Sequence, residues 1–278
     1  MKSQFLQTAG LRLHYLDYEG TAPPILLLHG LTANAQAFAG LIQAGLNAER
    51  RVVAVDLRGR GLSGKPATGY TMAAHAADVL ALLDALGLAR AQLVGHSFGA
   101  LLSLYVAYHH PARVEKLVLL DAAARLHPQT REMLGPTLGR LGKTTVNFAE
   151  YLAQARLAPY LTIWDARMED YYRADVLTHA DGSVTPRSAP EHIAECLADG
   201  VYAEHWPDYI RAIEQPTLLI NGTMNYALDA PLLPKEFALE TVELLPHGQY
   251  REVWGNHQTM LYGQGAQEIV PAILDFLA

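Results

Sequence analysis

The stretch from Ala91 to Pro111, AQLVGHSFGALLSLYVAYHHP, leaves this chain few ways to fold. An apolar run containing Leu93 and Val94 meets Gly-His-Ser-Phe-Gly, and Ala100, Leu101, Leu104, Val106 and Ala107 then continue as a helix facing a core. A strand that reverses into a helix within two residues holds its turn residue in a strained backbone conformation, which only tiny flanking side chains permit. Gly95 and Gly99 supply that space. Ser97 is thereby pushed out at the tip of the turn, at the N-terminus of the following helix, where backbone N–H groups can receive a developing negative charge. Gly-x-Ser-x-Gly also occurs by chance, so its setting decides its meaning, and here a strand precedes it and a helix stopped by Pro111 follows.

The same alternation runs through the rest of the chain. Residues 4–8 and 11–18 alternate apolar and polar side chains around Ala9-Gly10, as an antiparallel hairpin at a sheet edge would. ILLLHG (25–30), RVVAVD (51–56), KLVLLD (116–121) and TLLING (217–222) are unbroken apolar runs of the kind a strand buried on both faces shows. Between them, 34–44 looks helical, and 71–87 places Met72, Ala76, Val79, Leu80, Leu83 and Leu86 on one helical face. After Pro216 the pattern predicts a helix near 231–240, a strand at TVELLP (241–246), a loop to His257 and a closing helix over 264–277. Strands alternating with helices in this way imply an α/β fold with a mostly parallel, doubly wound sheet.

The rhythm breaks after Ala124. Residues 125–212 hold no core-strand run, but carry helical patterns rich in aromatics, among them Tyr151, Tyr160, Trp164, Tyr171 and Tyr172. Because this stretch falls between two strands of one sheet, we read 1–124 and 213–278 as the core and 125–212 as a helical cap over its carboxyl edge. Asp181 to Pro190 is expected to be a surface loop inside the cap.

Composition excludes several function classes. A net charge of −7 with no cluster of Lys and Arg argues against a nucleic-acid partner. No apolar run approaches the ~20 residues of a membrane span, and the N-terminal residues do not read as a signal segment. With one cysteine, Cys196, an internal disulfide is impossible. These features lead us to expect a cytoplasmic protein acting on a small molecule, its oligomeric state left open, a homodimer included. Gly59-Arg-Gly-Leu-Ser-Gly64 matches the dinucleotide pattern G-x-G-x-x-G, but Lys65 to Gly69 follows as loop where that site needs a helix. Neither His-Glu-x-x-His nor paired cysteines occur, so neither a metal nor another cofactor is expected.

Asp56-x-Arg-Gly-x-Gly-x-Ser63, the turn Gly95 to Gly99, His29-Gly30 upstream and Gly255-Asn-His257 before the closing helix together resemble the α/β-hydrolase superfamily, over essentially the whole chain. The resemblance implies a nucleophile at Ser97, a base at His257, and an oxyanion hole formed by the backbone N–H groups of Phe98 and Leu31. A serine hydroxyl is a poor nucleophile until a base removes its proton, and the oxyanion that forms needs two preorganised donors. Members of the family commonly carry the acid three residues after a glycine closing the penultimate strand. Here Gly222 is followed by Thr223, Met224 and Asn225, and a neutral amide cannot stabilise an imidazolium. Two carboxylates can substitute: Asp121, ending the strand after the turn helix, which we favour, and Asp229, one helical turn beyond Asn225. Asp121 could instead cap a helix opening the insertion. His29, His96, Tyr160 and Trp164 are the candidates for contact with substrate, His29 and His96 being equally suited to packing behind the site.

A serine at the turn, where dehalogenases and epoxide hydrolases of this superfamily carry aspartate, implies acyl chemistry. Hydrolysis of a small or medium ester is the first expectation. Cleavage of a C–C bond in a ring-fission product, or of a small amide or enamide, uses the same parts. A binding protein without hydrolysis remains the alternative of a different kind, because fold does not fix function.

Overall fold

The four apolar runs and the Ala91–His96 stretch are neighbouring strands of one eight-stranded sheet. A computed structural model describes every residue except Ala9, Thr21 and Ala203; the turn of the expected N-terminal hairpin therefore lies partly outside the described residues. The strands are β1 (Lys2–Gln7), β2 (Arg12–Tyr18), β3 (Ala22–Leu28), β4 (Arg50–Asp56), β5 (Ala91–His96) and β6 (Val114–Leu120). β7 (Val176–Thr178) and β8 (Val184–Pro186) form a separate hairpin, and β9 (Thr217–Gly222) and β10 (Gly248–Val253) return to the sheet. Sheet order is β1-β2-β4-β3-β5-β6-β9-β10, with β2 antiparallel to both neighbours and every pair from β4 to β10 parallel.

Side chains alternate between the faces of a strand, which explains why these runs are apolar throughout. Leu26, Leu28, Val53, Val55, Leu93 and Leu119 join a core on one face, while Ile25, Leu27, Val52, Ala54, Val94 and Leu120 join a core on the other. The helices are α1 (Ala39–Gln43), α2 (Met72–Ala85), α3 (Phe98–His109), α4 (Thr130–Met133), α5 (Gly135–Leu138), α6 (Phe148–Arg156), α7 (Ala166–Asp175), α8 (Pro190–Cys196), α9 (Trp206–Arg211), α10 (Lys235–Leu244) and α11 (Gly263–Leu277). α2 and α3 pack on the first face, α1 and α11 on the second. α2 starts where Thr71 accepts the Ala74 N–H, and α11 buries Ile269, Val270, Ile273 and Leu277 at helical spacing.

Two expectations need correction. TVELLP is not a strand: Thr241 to Leu244 complete α10, and the strand is the following GQYREV. Phe237, Ala238, Thr241, Val242 and Leu245 recur at helical spacing and pack on the core. β10 is an edge strand, largely open to solvent, and carries no apolar run to betray it. The loop expected from Asp181 to Pro190 contains β8, which pairs with β7 around Gly182, a residue at φ 85°. At three residues each, these strands are too short to show a periodicity.

Register sets the site. His96 pairs with Leu120 and Leu120 with Ile220, so Ser97, Asp121 and Asn221 follow one another across the carboxyl edge. Leu28 pairs with Gly95, bringing the His29-Gly30-Leu31 loop beside Ser97. The chain between β6 and β9 leaves the sheet and holds α4 to α9 and the β7–β8 hairpin.

Candidate active site

Ser97 sits at φ 55°, ψ −119°, a conformation costly for a side chain with a Cβ. Its N–H donates to the Leu120 carbonyl at 3.0 Å, and its own carbonyl accepts the N–H groups of Ala100 and Leu101. The chain on either side has no room for bulk: a Cβ at Gly99 would lie 1.9 Å from the Leu28 oxygen, and one at Gly95 2.3 Å from the Gly99 oxygen. The elbow is held by its surroundings.

Asp121 follows directly on β6, buried, at φ 54°. Its Oδ2 accepts from His257 Nδ1 at 2.7 Å; its Oδ1 accepts from the Gly222 N–H and the Asn221 amide, both at 2.9 Å. Burial alone would push this carboxyl up, but the bond and charge of His257, with the Gly222 and Asn221 donors, outweigh it and hold the group below its ordinary value. With Nδ1 engaged, Nε2 is the nitrogen His257 can offer to a neighbouring hydroxyl. His96 donates from Nε2 to the His257 carbonyl at 2.8 Å, tying the loop after β10 to the residue before Ser97.

His29 lies behind the loop that leads to Leu31. Its Nε2 accepts the Leu57 N–H at 3.0 Å, so its Nδ1–H donates to the Gly30 carbonyl at 2.8 Å. That carbonyl shares a peptide plane with the Leu31 N–H, and fixing one aims the other. From the other side Arg60, fully buried, donates to the Leu31 carbonyl at 3.0 Å and also holds the Arg58 carbonyl, His75 Nε2 and the Cys196 sulfur.

Burial, with Asp56 and the Gly30 carbonyl opposing it, lowers His29 to about 4; burial and then the neighbouring His257 lower His96 to about 3. Both imidazoles stay neutral in the folded chain at pH values where an unfolded histidine, near 6.5, takes up a proton. The unfolded chain therefore binds more protons below pH 6.5, and stability falls as the pH drops from there toward 4, by on the order of 5 kcal/mol for the pair. Urea titrations at a series of pH values should show the midpoint fall steadily over this window. A midpoint flat from pH 7 to 4.5 would mean these rings are protonated in the native state.

Ser97, Phe98, Leu31, His96, Asp121, His257 and Tyr160 all line one cavity at the carboxyl edge. His29 and Trp164 are not in its wall. His29 is sealed behind the loop it fixes, and Trp164 stacks on Tyr172 with Arg156 over its ring. Asp229 is exposed at a positive-φ turn between Ala227 and Ala230 and is not in the cavity wall. Sequence reasoning missed Asn221, Arg60 and Arg140, and named Tyr171 and Tyr172 only among the aromatics of 125–212. Asn221 had a signal, a polar residue within an otherwise apolar strand end beside Asp121; Arg60 stands inside the Asp56–Ser63 motif and is held mainly by Leu31, Arg58 and His75, and the remaining residues depend on how 125–212 folds over the sheet.

With that geometry in view, the chain belongs to the α/β-hydrolase fold family, whose model matches residues 23–253. Its relatives include named hydrolases. The chain is 29% identical over 220 residues to the 2-(acetamidomethylene)succinate hydrolase of Mesorhizobium japonicum, covering 78% of this chain and 76% of that one. It is also 29% identical over 279 residues to the 2-hydroxymuconate semialdehyde hydrolase of Pseudomonas putida, covering 97% and 92%. Among solved structures, that of E-2-(acetamidomethylene)succinate hydrolase superposes with a TM-score of 0.84 at 24% identity, covering 99% of this chain and 98% of that chain, a likeness of fold. Among the described residues no helix is long and apolar enough to cross a membrane.

Proposed function

We propose that the protein is a serine hydrolase that cleaves a small or medium carboxylic ester through an acyl-enzyme, with residues 125–212 as the cap over its cavity. Ser97 Oγ attacks the acyl carbon while His257 Nε2 takes its proton; the N–H groups of Phe98 and Leu31 hold the oxyanion, and Asp121 steadies the imidazolium. Collapse of the tetrahedral adduct breaks the bond to the leaving oxygen, which receives the proton from His257. Water, deprotonated by His257, then attacks the acyl group and returns Ser97. The observation that carries this reading is the 2.7 Å bond from His257 to a buried carboxylate on the cavity that Ser97 lines.

A second reading, cleavage of a C–C bond or of an amide-like bond by the same residues, is favoured by the names of two relatives, one a semialdehyde hydrolase and the other an acetamidomethylene succinate hydrolase. A fluorophosphonate probe is expected to label Ser97 in the folded protein and to leave the Ser97→Ala variant unlabelled. Turnover of p-nitrophenyl esters against a ring-fission dienoate and an N-acyl enamine then ranks the bond types. Folded protein that neither labels nor turns over any of these would leave a binding protein as the better description.

A further inference from the structure

The cavity is largely apolar, but Arg140 stands in its wall with a guanidinium only partly used. Its Nη1 side is committed: it donates to Asp175 Oδ2, and at 3.1 Å to the hydroxyl of Tyr151, which itself donates to the same carboxylate oxygen. The Nη2 side makes only two long bonds, each 3.3 Å, to the carbonyl and hydroxyl oxygens of Thr32. Arg140 lines two adjoining hollows: Thr32, the partner of Nη2, borders only the one that holds Ser97, and Tyr151, a partner of Nη1, only the other, so the weakly held edge lies on the Ser97 side.

We propose that this edge of Arg140 binds a carboxylate of the substrate, making the preferred substrate an acyl compound with a second, acidic end. The proposal rests on the hydrolase reading for the acyl end, but not for the anion. A guanidinium presents parallel N–H donors that match a carboxylate, and such pairs form readily where water is excluded. Exchanging two long bonds to Thr32 for charge-assisted ones favours the ligand. Asp175, 2% exposed in its side chain, keeps the cation from being buried alone and fixes its plane through Nη1.

Tyr171 and Tyr172 line the same wall, and among the described residues their hydroxyls have no hydrogen-bond partner. Burial pushes both phenols up, so they remain donors at neutral pH. Asp121 is the one acidic side chain in the described wall, and it is taken by His257, Gly222 and Asn221; Asp175, behind Arg140, is engaged through Oδ2 by Arg140 Nη1 and the Tyr151 hydroxyl, and an anion on the Nη2 edge would share the guanidinium with it from the opposite side. Arg125, the other cation of the wall, is half-exposed, paired with Glu240 and laid over the Phe237 ring. Because Thr32 is the residue after Leu31, the acid lies a short chain away from the carbonyl at the oxyanion hole.

The test compares kcat/KM for mono-p-nitrophenyl glutarate and p-nitrophenyl hexanoate, nearly equal in length. The wild type is expected to favour the acidic ester, and the preference to fall by at least about tenfold in Arg140→Gln and in Arg140→Lys, which keeps the charge beside Asp175 but loses the fork. Glutarate itself should raise the melting temperature of Ser97→Ala and not that of Ser97→Ala carrying Arg140→Gln. A wild type that prefers the hexanoate, or a preference unchanged in folded Arg140→Lys, overturns the proposal. Glutarate bound without hydrolysis of either ester would keep the anion site and remove the hydrolase reading; esters hydrolysed with no effect of glutarate would do the reverse.

Discussion

Asp121→Asn is expected to lower kcat on an activated ester by about four orders of magnitude, with KM changed by only a few-fold. The reason lies in which oxygen does what. Asp121 Oδ1 accepts from the Gly222 N–H and the Asn221 amide, so an asparagine there must keep its carbonyl oxygen on that side. Its NH2 group then faces His257 Nδ1, where Asp121 Oδ2 accepts a hydrogen bond from Nδ1–H in the native chain. Facing a donor, Nδ1 becomes the acceptor and the ring proton moves to Nε2, leaving no base for Ser97. Asp229→Asn, on an exposed turn, should leave kcat within about two-fold, as surface changes generally do. Steady-state kinetics on both variants, with melting temperatures to establish folding, check this. An active Asp121→Asn enzyme, or a collapse at Asp229→Asn, would reassign the acid.

Gly99→Ala should be the most damaging single methyl added to this chain near the site. Its Cβ would stand 1.9 Å from the Leu28 carbonyl oxygen and 2.4 Å from its carbon, both backbone atoms of a central strand. Nothing at the end of a flexible side chain can swing aside. The elbow must move away from β3, and because Ser97 is pinned to Leu120 and its helix, the strain spreads into β5 and α3. Overpacking of a tight core typically costs 1–3 kcal/mol, and a backbone clash this close should cost about 3 kcal/mol or more. Urea denaturation of Gly99→Ala measures it; a loss under about 1 kcal/mol, below that range, would mean that the turn can relax.

The sheet was legible because its central strands are buried on both faces, so that burial writes an apolar run into β3, β4, β6 and β9, and into β5 a shorter one at Leu93 and Val94. β10 escaped for the opposite reason: at an edge, solvent permits Gln249, Arg251 and Glu252, and the apolar run beside it belongs to a helix. The elbow and the His257 loop could be read because glycine spacing and chain order constrain them. The position of Asp121 was legible as the residue ending KLVLLD, and its bond to His257 is a matter of strand register that spacing alone does not give. Arg140 was out of reach, and Tyr171 and Tyr172 were legible only as aromatics of the 125–212 segment. Their place depends on how short helices of the 125–212 segment lie over the sheet, and helices of four to ten residues carry too few turns to fix that from periodicity.

The groups around His257 have a common origin. Asp121 comes from the end of β6, Asn221 and Gly222 from β9, and His96 from β5. The seam with the inserted segment is slight there: the Asn256 amide donates to the Tyr160 carbonyl at 2.8 Å, a main-chain acceptor that any residue at position 160 would provide. Arg140 and its supports, by contrast, belong almost wholly to the insertion. On the roles proposed for these residues, descendants of this chain could exchange the inserted segment, and with it the molecule they select, while inheriting the proton-handling groups unaltered.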